Sequence, residues 1–112
     1  MNIEERNAVL KFLYREEANK GLFSDSAVVN KIISKHNSQI EYEEMTDSQR
    51  RIILKNIIIN YLVNDLLNSL AIDFVNGSPE KRLFRIKEVA HQRYLSLTED
   101  ERILIIKKIN NN

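Results

Sequence analysis

The sequence predicts an all-α fold, a single-domain bundle of about five helices around one long central helix. Three observations carry this. The helix-breaking residues, two glycines and one proline, sit only where a helix should start or stop. Apolar residues recur with a period near 3.6 in the first and fourth segments. The one stretch with strand-like alternation, Gln39-Ile40-Glu41-Tyr42-Glu43, is too short to found a sheet and reads as a loop.

The first helix is expected over 3–20. Ile3, Val9, Leu10, Leu13 and Tyr14 fall on one side at about 100° per residue, opposite Glu4, Glu5, Lys11 and Arg15. Gly21 follows as a left-handed cap. A second helix over 25–37 comes after the short turn Lys20-Gly21-Leu22-Phe23, and Asp25 stands at its N-terminus. The third, over 47–75, opens on Thr46-Asp47-Ser48-Gln49, which has the spacing of a capping box. Ile52, Ile59, Leu62, Val63, Leu66 and Leu70 form one stripe of it. Ile53, Leu54, Ile57, Ile58, Leu67, Ala71 and Ile72 occupy most of the remaining circumference. A helix apolar nearly all round has to be surrounded, by its own chain or by another. At about 1.5 Å per residue it is on the order of 43 Å long, against a radius of gyration of roughly 13 Å for a domain of this size. Asn76-Gly77 ends it. Ser78-Pro79-Glu80 opens a fourth helix over 79–94 in the cap-then-proline order, with Leu83, Ile86, Ala90 and Tyr94 on one face. Thr98-Glu99-Asp100-Glu101 is a second capping box and starts a fifth helix over 99–109.

Composition removes whole function classes. The 112 residues are read as one domain, 1–112, since two independent cores would each be small. A formal net charge of +1 names no partner by bulk electrostatics. With no cysteine, disulfides, thiol catalysis and thiolate metal sites are all excluded. Asn56, Asn60, Asn64, Asp65, Asn68 and Asp73 interrupt the longest apolar stretch, so no lipid-facing span is expected. The polar, acidic start Met1-Asn2-Ile3-Glu4-Glu5 does not resemble a secretory signal, and the expected location is the cytoplasm. Frequent Ile, Asn and Lys suggest an AT-rich genome, as in a low-GC bacterium or its phage.

No arrangement supports an enzyme. His36 and His91 are the only histidines, and neither lies at metal-ligand spacing. Glu4-Glu5, Glu16-Glu17 and Glu41/Glu43/Glu44 lack the i, i+3 or i, i+4 pairing across facing helices that a magnesium site needs. No cofactor, metal or small-molecule substrate is expected.

Two classes of partner remain. The first is a protein, with a homodimer the favoured form. Asn56, Asn60, Asn64 and Asn68 recur every four residues, as a polar seam against a partner helix would, or as a solvent-facing strip would. Ile103 and Ile106 belong to a last helix that is apolar on several faces, and they complete the candidate interface. The chain then acts as a regulator, adaptor or inhibitor. The second class is DNA. The pair of helices over 3–37 resembles a helix-turn-helix unit in its short glycine-containing turn. Asn30, Lys31 and Lys35 are its candidate contacts, and Lys81, Arg82, Arg85 and Arg93 form a basic face on the fourth helix for phosphates or an acidic partner. Asp25, Glu16 and Glu17 count against it. The DNA reading predicts duplex binding in a gel shift that falls steeply with salt and is lost on Lys31→Glu or Lys35→Glu.

Overall fold

The computed structural model describes residues 1–21, 24–69 and 79–111. The fold is all-α, with five helices among the described residues, α1 (Ile3–Asn19), α2 (Ala27–Glu44), α3 (Asp47–Leu67), α4 (Pro79–Ser96) and α5 (Glu99–Asn110), and no strand among them. The expected cap at Ser78, the end at Gly77 and the stripe residues Leu70, Ala71 and Ile72 lie outside the described residues, as do Leu22 and Phe23 of the first turn.

Side-chain oxygens at the helix starts satisfy backbone N–H groups that have no partner within the helix. Asn2 caps α1, with Asn2 Oδ1 accepting from Glu5 N at 2.8 Å and Glu5 Oε1 from Asn2 N at 3.1 Å. Ser26 Oγ accepts from Val29 N at 3.3 Å at the head of α2. The predicted boxes both form, Thr46 with Gln49 and Thr98 with Glu101. Gly21 follows α1 with φ +127°, a conformation that L side chains rarely adopt.

Two expectations need correction. The stretch 39–43 is not a loop, because α2 runs on to Glu44. Ser34, Ser38 and Tyr42, spaced by four, are all buried and form one helical stripe, and no glycine or proline lies between Asp25 and Thr46 to stop it. His36 is therefore mid-helix rather than at a helix end. The link to α3 shortens to Met45-Thr46, with Met45 extended at φ −74° and ψ 147°. The third helix, expected over 47–75, ends at Leu67. Asn68 N still bonds to Asn64 O, but Ser69 N reaches back only to Leu66 O, as a tightening last turn does.

The chain groups into two compact units, Met1–Leu54 and Lys55–Asn111. In the first, α1 packs on α2 over a core of Ala8, Val9, Leu13, Tyr42 and Leu54. Arg50, in the first turn of α3, donates from Nε and Nη2 to Tyr42 O at 3.0 and 2.8 Å, and its guanidinium lies 4.2 Å from the Tyr42 ring centroid. No basic residue stands in the last turn of α2, so Arg50 supplies the cation its C-terminal carbonyls favour. In the second unit, Ile57, Ile58, Leu62 and Leu66 of α3, Ile86 and Ala90 of α4, and Ile105 and Ile106 of α5 are buried. Tyr94 lies 5.6 Å from both Lys55 Nζ and the Arg102 guanidinium.

The α1–α2 contact is unusual in what α2 buries. Ser34 and Ser38 are 1% and 2% exposed, and Ser38 Oγ donates to Lys35 O at 2.9 Å. Small side chains let two helix backbones approach closely, so added volume there forces the helices apart. Ser34→Leu should destabilise the protein by about 1–3 kcal/mol, whereas Val28→Ala on the outer face should change it by about 0.5 kcal/mol or less. Urea denaturation followed by circular dichroism measures both.

Candidate interaction surface

With the small residues turned inward, the branched aliphatics of α2 face solvent. Val28 and Ile32 are 67% and 63% exposed, with Val29 and Ile40 beside them at 41% and 40%. One-sided burial in an ordinary amphipathic helix runs the other way.

Beside this face, α1 and α2 enclose an open groove of about 450 Å³ lined by Leu10, Lys11, Tyr14, Lys31, Ile32, Lys35, Ser38 and Gln39. A second hollow of about 300 Å³, lined by Tyr14, Ala18, Gly21, Ala27, Asn30, Lys31 and Ser34, adjoins it at Tyr14 and Lys31. Leu10, Tyr14 and Ile32 supply apolar wall, while Lys11, Lys31 and Lys35 supply the charge. Among the described residues no carboxylate lines either part.

The end of α1 is fixed by a polar cluster. Glu17 is buried, and its carboxylate accepts from Lys20 Nζ at 2.8 Å. That hydrogen bond holds the Glu17 carboxyl below its ordinary range, against the opposing effect of burial, with the nearby charge of Lys20 adding to it. Glu17 is thus buried and ion-paired at the end of α1.

The other sequence candidates divide. Asn30 is partly buried and committed to the loop before α2. Its Oδ1 accepts from Ser24 N, and its Nδ2 donates to Ser24 O, both at 2.9 Å. Both ends of the amide are thus engaged within the chain. Ile106 is buried at 3% and belongs to the core of the second unit, which removes it from the candidate interface, whereas Ile103 is exposed. Asn56, Asn60, Asn64 and Asn68 are all exposed. Lys81, Arg82 and Arg85 are exposed on α4, where Arg85 lies 3.5 Å from Glu88, and Arg93 lies 4.0 Å from Asp65. The groove itself escaped sequence reasoning. The signal that could have found it is the four-residue spacing of Ser34, Ser38 and Tyr42, which marks the inner face of α2.

A cleft of about 360 Å³ in the second unit is lined by residues of α3, α4 and α5, including Asp65, Arg93, Glu101 and Lys108. Its opposite charges offset one another. Among the described residues, no group of three or more His, Cys, Asp or Glu could hold a metal ion, and no helix is long and apolar enough to cross a membrane. No protein-family model, curated protein or solved structure matches the chain.

The lowered pKa of Glu17 fixes the sign of its pH dependence. A carboxylate titrating lower in the folded than in the unfolded chain adds stability above its unfolded pKa, and that stability is lost as pH falls through the folded value. Glu101 has the same sign, its carboxyl lowered by hydrogen bonds at the Thr98 cap. Thermal melts across the acid range should show the melting temperature falling as these groups protonate. Glu17→Gln should melt lower at neutral pH and lose less on acidification.

Proposed function

We propose that this is a non-enzymatic interaction protein, a small helical regulator, adaptor or inhibitor, and that the α1–α2 face is its docking surface. The observation that supports this best is the inverted burial of α2, which keeps Ser34 and Ser38 inside and Val28 and Ile32 outside. Exposed single aliphatics are ordinary, but several of them on one helix, with Ile32 among them lining an open groove, are the usual mark of a protein contact. The groove is also the site best suited to one, because helix-in-groove recognition uses apolar anchors along a channel between helices. A second copy of the chain is one such partner, and the exposed strip Asn56, Asn60, Asn64 and Asn68 is available to it.

DNA binding is the second reading. Lys31 and Lys35 share a rim with Lys11, and that charge favours it. The apolar wall and the commitment of Asn30 to its own loop weaken it.

A photo-crosslinking amino acid placed at Ile32, and separately at Ser48 as an exposed control, tests the surface in the protein's native cells. The expected result is a discrete protein adduct from position 32 and none from position 48. An adduct at twice the 13.2 kDa chain mass identifies a homodimer, and another mass a different partner. Absence of any adduct at position 32 overturns the assignment of this face.

A further inference from the structure

Resting on the docking surface proposed above, we propose that the α1–α2 groove takes an amphipathic helix whose flanks are acidic. The groove and its adjoining hollow run along α2 from Ala27 to Gln39. At 1.5 Å per residue that is about 18 Å, which seats about three turns of a helix. Leu10, Tyr14 and Ile32 offer apolar contact to anchor residues spaced i, i+3/i+4 and i+7.

Charge selects the flanks. Lys11, Lys31 and Lys35 line the groove, and among the described residues no carboxylate does. Lys31 and Lys35 form no ion pair with any described carboxylate. Carboxylates on the visiting helix would meet ammonium groups placed at two successive turns of α2. Such pairs at a partly exposed rim add modest affinity, and they discriminate strongly against a basic partner, which would set like charges together. The apolar wall argues for a peptide over a phosphate backbone, which makes little use of Leu10, Tyr14 and Ile32. The same charge disfavours a copy of this groove facing itself, as a two-fold contact centred here would require.

Two designed peptides of about 15 residues, with identical leucine anchors and one tryptophan, test the proposal on the full chain. One carries glutamates on its flanks and the other lysines. The protein contains no tryptophan, so a blue shift in peptide emission reports burial directly. The glutamate peptide should bind about tenfold or more tightly than the lysine peptide, a preference that shrinks with added salt and reverses in the Lys31→Glu/Lys35→Glu variant. Both positions are exposed, so that variant should keep its fold, checked by circular dichroism. Ile32→Glu should abolish binding of the glutamate peptide.

Equal binding of the two peptides overturns the acidic flank while leaving the groove as a docking site. Binding of neither overturns the helix as occupant, and cross-linking at Ile32 then decides the docking surface separately. Binding of anionic vesicles or duplex DNA that depends on Lys31 and Lys35, with no peptide binding, assigns the lysines to another ligand and also overturns the proposal.

Discussion

The small hydroxyl residues between α1 and α2 are the constraint from which the character of this surface follows. A helix can turn only one side toward its neighbour. In α2 that side is Ser34, Ser38 and Tyr42, which leaves Val28, Ile32 and Ile40 no place in the same interface. The exposed aliphatic face is therefore the geometric complement of a tight helix pair.

A second constraint acts at the other end of α2. The link of Met45 and Thr46 is too short to find its direction by chance, and both sides of it are tied. Thr46 closes a box with Gln49, while Arg50 reaches back to the carbonyl of Tyr42 and stacks on its ring. Tyr42 is also approached by the Arg6 guanidinium at 5.6 Å, and its hydroxyl lies 3.8 Å from Met1 Sδ. One aromatic side chain thus gathers the start of α1, the end of α2 and the start of α3. Guanidinium groups suit this position because they pair with carbonyls in plane and with a ring face at the same time.

Much of this architecture was legible in the residues, and the misreading of α2 and its groove has one cause. The boxes at Thr46 and Thr98 and the turn at Gly21 were readable because each rests on local chemistry within three or four positions. Asn2 uses the same chemistry with Glu5, but no turn signal precedes it to mark the cap. Periodicity failed on α2, because reading a helix by its apolar residues assumes that they face inward. Here the inward stripe is serine, so the helix looked finished at Asn37. The alternation at Gln39–Glu43 then passed for a loop, although Tyr42 lies in register with Ser34 and Ser38. The groove was hidden for the same reason. Lys31 and Lys35 stood out as polar-face residues of a helix-turn-helix-like pair, and nothing in the linear sequence places Lys11 of α1 beside them.

The lysines interleaved along the outer face of α2 also bear on how this protein behaves in a crowded solution. A net charge of +1 leaves little repulsion between whole molecules. Colloidal stability then has to come from charges next to the apolar side chains themselves. Lys31 and Lys35 stand beside Val28 and Ile32 in that position, where gatekeeper residues restrain indiscriminate clustering of a sticky segment. The charges that would greet an acidic partner are thus the same ones that keep the unoccupied face dispersed, and neutralising them would trade selectivity for precipitation.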